Sequence, residues 1–193
     1  MTYYNSTRRM VEEHSTTTLA FALLGLTLQK PSSGYDLRKF FSSTPTNTFS
    51  DSPGAIYPAL RRLERRDLIR GQVEVGHGRR ERRLFQVTPR GRAEFQRWLM
   101  RPISRDDVVH HLDALMLRFA FMDEAAGRAA ARRFLKAFRK ELASYIPSLR
   151  EYLKSNRSAM PLSGRLALES GIRSYETLFR WTKTAIAAYQ KEN

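Results

Sequence analysis

The chain contains no cysteine. That absence excludes disulfides, thiolate metal sites and a cysteine nucleophile, and it fits a reducing cytoplasm. No run of about 18 apolar residues occurs, so no membrane-spanning helix is expected. The first 16 residues carry Arg8 and Arg9 but no apolar stretch behind them, which argues against a secretory signal. Internal repeats and low-complexity tracts are also missing. Acidic residues are scarce, with 19 Asp and Glu against 34 Lys and Arg, a net charge of +15. A balance that basic suits polyanionic partners, nucleic acid first.

Catalytic signatures are equally sparse. No serine sits in a G-x-S-x-G elbow. Gly76 and Gly78 lack the remaining glycines and the strand-to-helix setting of a dinucleotide site, so they read as a hairpin turn. His110 and His111 stand near Asp106, Asp107 and Asp113, but adjacent helical residues point about 100° apart and cannot readily share one ion. No enzyme activity, metal or cofactor is expected.

What the chain does have is arginine in one place. Nine arginines lie between positions 61 and 83, opposed only by Glu64, Asp67, Glu74 and Glu81. The segments around them read as short elements. Residues 17–29 are apolar nearly all round, the mark of a buried helix capped by Thr16 or Thr17 and ended at Lys30-Pro31. Ser32 or Ser33 caps a second helix with Tyr35, Leu37, Phe40 and Phe41 as its apolar side. Asp51, Ser52 and Pro53 start a third, running to about residue 67, with Ile56, Leu60 and Leu63 facing the core. Residues 68–75 and 82–87 read as strands of a hairpin. Thr88 and Pro89 open a fourth helix that ends near Leu99.

The remainder is helical. One helix is expected over 106–122, and a second opens at Asp123-Glu124 with Pro147 kinking or breaking it near Ile146. The last carries Leu168, Ile172, Tyr175, Phe179, Thr182, Ile186 and Tyr189, spaced 4, 3, 4, 3, 4, 3 in a heptad seam that needs a partner within the subunit or outside it. The expected fold is mainly α with a small β-wing, divided into a polar extension over 1–16, a winged helix domain over 17–100 and a helical dimerisation domain over 101–193.

A short helix followed by a basic hairpin is the layout of a winged helix-turn-helix that grips DNA. Base edges are reached from a helix N-terminus in the major groove, and cations contact phosphates. The candidates at the helix start are Ser50, Ser52, Ala55 and Tyr57, with Arg61 and Arg62 one turn further on. On the hairpin they are His77, Arg79, Arg80 and Arg82; Arg82 and Arg83 point to opposite faces, so at most one can serve the same partner. The competing reading is a winged helix that binds an acidic protein or RNA.

The segments FALLGL (21–26), SGYDL (33–37), SPGAIYPALRRLERRDLI (52–69) and LFQVTPRG (84–91) agree in order and spacing with one family. Together they resemble the PadR family of bacterial transcriptional regulators, whose members show a leading apolar helix, a GYEL-like second helix, an SPGSLYPAL-like recognition helix and a wing closing in a YxLT-x-x-G turn. The chain departs from the family at Arg82 and Arg83, where wings often carry aromatics. Its long helical half is similar to members related to phenolic-acid repressors. The resemblance implies a homodimer on double-stranded DNA, usually a repressor, released by a small aromatic or hydrophobic effector. Candidate effector residues are Trp98, Tyr145 and Tyr175, and candidate dimer contacts are Leu168, Ile172, Tyr175, Phe179, Ile186 and Tyr189.

Overall fold

The computed structural model describes residues 17–43, 52–75 and 81–191. Two compact units divide between Arg97 and Trp98, within one helix.

The first unit begins with α1 (Thr18–Gln29), capped by Thr17, whose side chain accepts the N–H of Ala20. Its residues Ala20 to Gly25 are all buried, as an all-round apolar sequence requires. Buried Thr27 satisfies its hydroxyl by donating to the Leu23 carbonyl at 2.9 Å. A two-residue strand, β1 (Ser32–Ser33), precedes α2 (Gly34–Ser43). Ser33 and Asp36 close α2's first turn reciprocally: the Asp36 N–H donates to Ser33 Oγ at 3.1 Å, and Ser33 N–H to Asp36 Oδ2, also at 3.1 Å. Within α2 only Leu37 and Phe41, one turn apart, are buried among the four apolar residues expected there; Tyr35 is 61% and Phe40 47% exposed. Tyr35 and Leu37 lie about 200° apart around the helix, so one core face cannot take both.

Helix α3 (Pro53–Arg65) starts at the Ser52 cap with Pro53 in its first turn. Ile56, Leu60 and Leu63 are buried as expected, and Ala59 joins them. Strands β2 (Ile69–Val75) and β3 (Glu81–Val87) pair antiparallel, Ile69 facing Val87 and Val75 facing Glu81. β1 adds to β3 with Ser33 facing Leu84, giving the order β1-β3-β2. The short edge strand was not expected from sequence, since two serines carry no strand periodicity. The hairpin buries Ile69 and Phe85 near its base, while Val73 further out is 63% exposed. The wing therefore rises off the core.

Helix α4 (Pro89–Met100) follows a tight joint. Thr88 Oγ1 donates to the Asp67 carbonyl at 2.6 Å and accepts the Gly91 N–H at 3.0 Å. Thr88 N–H donates to the Leu68 carbonyl at 3.1 Å. A Cβ on Gly91 would stand 1.9 Å from that Leu68 oxygen.

In the second unit the helix expected over 106–122 is two helices, α5 (Arg105–His110) and α6 (Leu112–Ala120), broken at His111, whose φ of −133° and ψ of 36° leave the helical region. No proline or glycine marks that break. A short α7 (Met122–Ala126) ends at Gly127, with φ 81° and ψ 161°, a conformation essentially reserved for glycine. Asp123 and Glu124 thus open α7, and the long helix α8 (Arg128–Asn156) starts afresh. Pro147 does not break α8. Both Pro147 and Ala143, whose carbonyl loses its N–H partner there, are exposed, so water can satisfy that carbonyl. Helix α9 (Leu162–Lys191) packs along α8.

Ser104 and Asp107 form a reciprocal capping box at the start of α5. Asp107 is nearly buried and paired with Arg101. Burial pushes its carboxyl up, but hydrogen bonds from the Ser104 N–H and hydroxyl, with Arg101 and Arg118 nearby, outweigh this and hold it below its ordinary 3.8. A carboxylate depressed on folding stabilises above its unfolded value, and the contribution disappears as pH falls through the folded value. Asp107→Asn should therefore cost about 1–3 kcal/mol at pH 7, and its deficit against the wild type should shrink below pH 4 in thermal melts. Gly91→Ala and Gly127→Ala should each destabilise by about 1–3 kcal/mol, the first through overpacking and the second through backbone strain, read from the same melts.

Candidate nucleic-acid interface

The start of α3 carries three of the candidate residues, Ser52, Ala55 and Tyr57. Ser52 is the N-cap, its Oγ accepting the Gly54 N–H at 3.2 Å. Ala55 is half-buried. Tyr57 is 39% exposed and its ring lies against Gly34, where a Cβ would meet Cε1 at 2.6 Å. Arg61 and Arg62 are exposed on the next turn and form no ion pair with any described residue. Ser50, His77, Arg79 and Arg80 lie outside the described residues.

Three of the expected residues converge. Tyr57, Arg61 and Arg82 line one cleft of about 680 Å³ with Tyr35 from α2 and Phe85 from β3. Tyr57, Arg61 and Glu64 follow each other at i, i+4 and i+7, a single stripe of α3 facing that cleft. Ser52, Ala55 and Arg62 do not line it. Arg82 lies close enough to Asp36 that its charge helps to lower that carboxyl, whose chief cause is the hydrogen bond from the Ser33 hydroxyl.

The arginines of this unit divide into exposed and engaged. Arg83, which lines the same cleft, bonds Glu64 at 2.7 Å, whereas Arg82 forms no ion pair with any described residue. Arg66 stands 3.8 Å from Glu94 on α4. Sequence reasoning missed Tyr35 as a cleft residue and Glu64 as a partner. The angular position of Tyr35 opposite Leu37 would have revealed the first; nothing local signals the second, which depends on strand register.

Within the second unit, Tyr145 and Tyr175 meet edge to face across α8 and α9, centroids 5.2 Å apart. Burial, then the neighbouring Tyr145, raises the Tyr175 hydroxyl. Trp98 is half-buried and does not line the cavity found in this unit. That cavity, of about 180 Å³, is lined by Leu99, Arg101, Arg118, Met122, Arg133 and Phe134 among others. Arg118 is 1% exposed, its guanidinium 5.3 Å from the Phe134 ring centroid. Nη2 donates to the Leu99 carbonyl at 3.0 Å and to that of Arg101, but Nε and Nη1 have no hydrogen-bond partner. Burial, then the charge of Arg101, lowers its pKa to about 10 against the opposing pull of Asp107. It stays a cation at neutral pH.

The heptad seam of α9 finds much of its cover within the chain. Arg139 of α8 donates to the Phe179 carbonyl at 2.7 Å and lies 3.8 Å over the Phe179 ring. Tyr189 donates to Asp123 at 2.7 Å and meets the Phe119 ring at 6.4 Å. Ile172 is buried, while Leu168, Tyr175, Phe179, Ile186 and Tyr189 stay half-buried. Leu162 and Leu166 are 60% and 53% exposed. His110 and His111 have their rings 6.5 Å apart, and no group of three potential metal ligands occurs among the described residues. No described helix is long and apolar enough to cross a membrane.

Residues 23–97 match the model of the "Transcriptional regulator PadR-like family". The chain is 24% identical over 181 residues to the negative transcriptional regulator PadR of Bacillus subtilis, covering 90% of this chain and 98% of that one. It is 25% identical over 187 residues to the probable transcriptional regulator Rv1176c of Mycobacterium tuberculosis, with the same coverage. A solved structure of Bacillus subtilis PadR in complex with operator DNA is 21% identical, covers 90% of this chain and 99% of that one, and has a TM-score of 0.44. Over residues 23–97 the chain is thus similar to the PadR-like transcriptional regulators, and over 90% of its length to two curated regulators.

Proposed function

We propose that the chain is a cytoplasmic, homodimeric, DNA-binding repressor released by a small effector, and not an enzyme. One observation carries the DNA reading: Tyr57, Arg61 and Arg82 share a cleft beside the exposed, capped start of α3. In this reading Ser52, Ala55 and Tyr57 meet base edges, Arg61 and Arg62 stand beside them, and the wing supplies phosphate contacts through Arg82 and the tip residues His77, Arg79 and Arg80. Ser50 belongs to the same proposed contact set. The name of the Bacillus relative supports the negative sign of regulation. The dimer forms along the half-covered edge of α9, with Leu168, Ile172, Tyr175, Phe179, Ile186 and Tyr189 contributing and Leu162 and Leu166 extending the apolar strip.

The effector site we propose centres on Arg118. A buried cation with two unpaired donors is costly to hold, and its lowered pKa expresses that cost. Arg101 and Arg133 line the same cavity. A compact anion with an apolar body would supply the missing acceptors and fill the space against Met122 and Phe134. Tyr145 and Tyr175 act here as packing between helices, and Trp98 as a neighbour of the cavity-lining segment that follows it.

A duplex from the promoter upstream of the chain's own gene should be bound more tightly than random duplex of equal length, with affinity falling steeply with salt. Tyr57→Ala should lower promoter affinity about tenfold while random-duplex affinity changes little. Equal affinity for both duplexes in a gel-shift titration would instead favour a module without sequence-specific sites. Benzoate, as a probe, should raise the melting temperature of the wild type in a concentration-dependent way. Its neutral amide should not, and Arg118→Met should abolish the benzoate shift; a shift preserved in that variant removes Arg118 from the site.

A further inference from the structure

Glu64 sits on the stripe of α3 that faces the cleft, where a carboxylate opposes binding to a polyanion. Its surroundings assign it other work. Oε1 accepts two hydrogen bonds, from the Gly71 N–H of β2 at 3.0 Å and from Arg83 Nη2 of β3 at 2.7 Å. One oxygen of the helix therefore ties both strands of the wing. In the ladder Gly71 faces Phe85 and Val73 faces Arg83, so the two donors come from positions two residues apart along the hairpin.

Gly71 is part of the arrangement. A Cβ there would stand 2.4 Å from Arg83 Nε and 3.0 Å from Glu64 Oε1. The bare Cα leaves the space in which the guanidinium lies. Arg83 is also 5.5 Å from the ring centroid of buried Phe85, so its plane is held on two sides. Its charge is met by a carboxylate, whereas Arg61, Arg62 and Arg82 form no ion pair with any described residue.

We propose that Glu64, Gly71 and Arg83 form a strut that sets the wing against the base-reading helix, and that Arg83 is a positioning residue, not a phosphate contact. This rests on the DNA-binding reading above. A two-stranded ribbon is marginal without support, and Val73 shows how little of this one is buried beyond its base. The strut meets α3 two turns after Tyr57, on the same face, so it fixes the wing relative to the helix stripe that enters the groove.

The two roles make opposite forecasts. By charge alone, Glu64→Gln should strengthen DNA binding. As a strut, it should weaken binding to the promoter duplex about three- to tenfold and leave random duplex within about twofold. Gly71→Ala changes no charge and should do the same. Arg83→Ala should lower promoter affinity without altering the salt slope, while Arg82→Ala should reduce the slope by about one. Arg83→Lys, which keeps a cation for Glu64, should stay within about twofold of wild type. Fluorescence anisotropy on the full chain, with circular dichroism of each variant, reads all of these. Glu64→Gln at or above wild-type promoter affinity overturns the strut, as does an Arg83→Ala salt slope lowered by about one. Arg83 is 56% exposed, so that variant decides the matter even if Glu64→Gln fails to fold. A wild type that does not prefer the promoter overturns the DNA reading, and the strut's role with it.

Discussion

The joint at Leu68 and Gly91 holds the first unit together. Helix α3 ends there, β2 begins, β3 ends and α4 starts, and all four meet around one carbonyl. The Leu68 oxygen takes the Thr88 N–H while the bare Cα of Gly91 lies against it. The chain enters the joint through Asp67, whose φ of 55° lets α3 turn directly into a strand. Thr88 does double duty, donating to Asp67 and accepting from Gly91. Because both strands of the wing are pinned at their bases, their register is set. That register brings Gly71 and Arg83 together over Glu64.

The second unit is organised differently. Its long helices pack by apolar stripes, with Leu135, Phe138 and Leu142 buried, but its centre holds a cation. Arg118 binds the carbonyls of Leu99 and Arg101, the last turn of α4 and the residue just after it. The same Arg101 pairs with Asp107, which caps α5. Three successive segments are thus connected through two arginines and a carboxylate. Apolar residues would hold the same segments with less desolvation. The charged arrangement leaves two buried donors of Arg118 without a partner, in a residue that lines a cavity.

Much of the first unit was legible along the chain because its signals are local. Thr17 and Ser52 cap where hydroxyls precede apolar runs, Pro53 and Pro89 stand in first turns, and the i, i+4, i+7 spacing of Ile56, Leu60 and Leu63 marks the core face. Less was legible where the deciding contact is distant in sequence. Tyr35 and Phe40 looked like core by composition but face outward by angle. The break at His111 carries no proline or glycine. The spacing of the α9 seam demands a partner without saying which; Arg139 and Asp123 supply part of that cover from within the chain.

Composition and spacing alone decided the helical class and the basic helix–hairpin unit, since caps, periodicity and charge act over a few residues. Which arginines remain available to a partner was decided only in three dimensions. Arg82 and Arg83 are adjacent, chemically identical and both line the cleft, yet the strand register places Glu64 beside Arg83 alone. The burial of Arg118 has the same origin. A guanidinium reads as surface in any linear scan, and only the packing of α4, α6 and α8 takes it out of water and leaves its Nε and Nη1 without a hydrogen-bond partner.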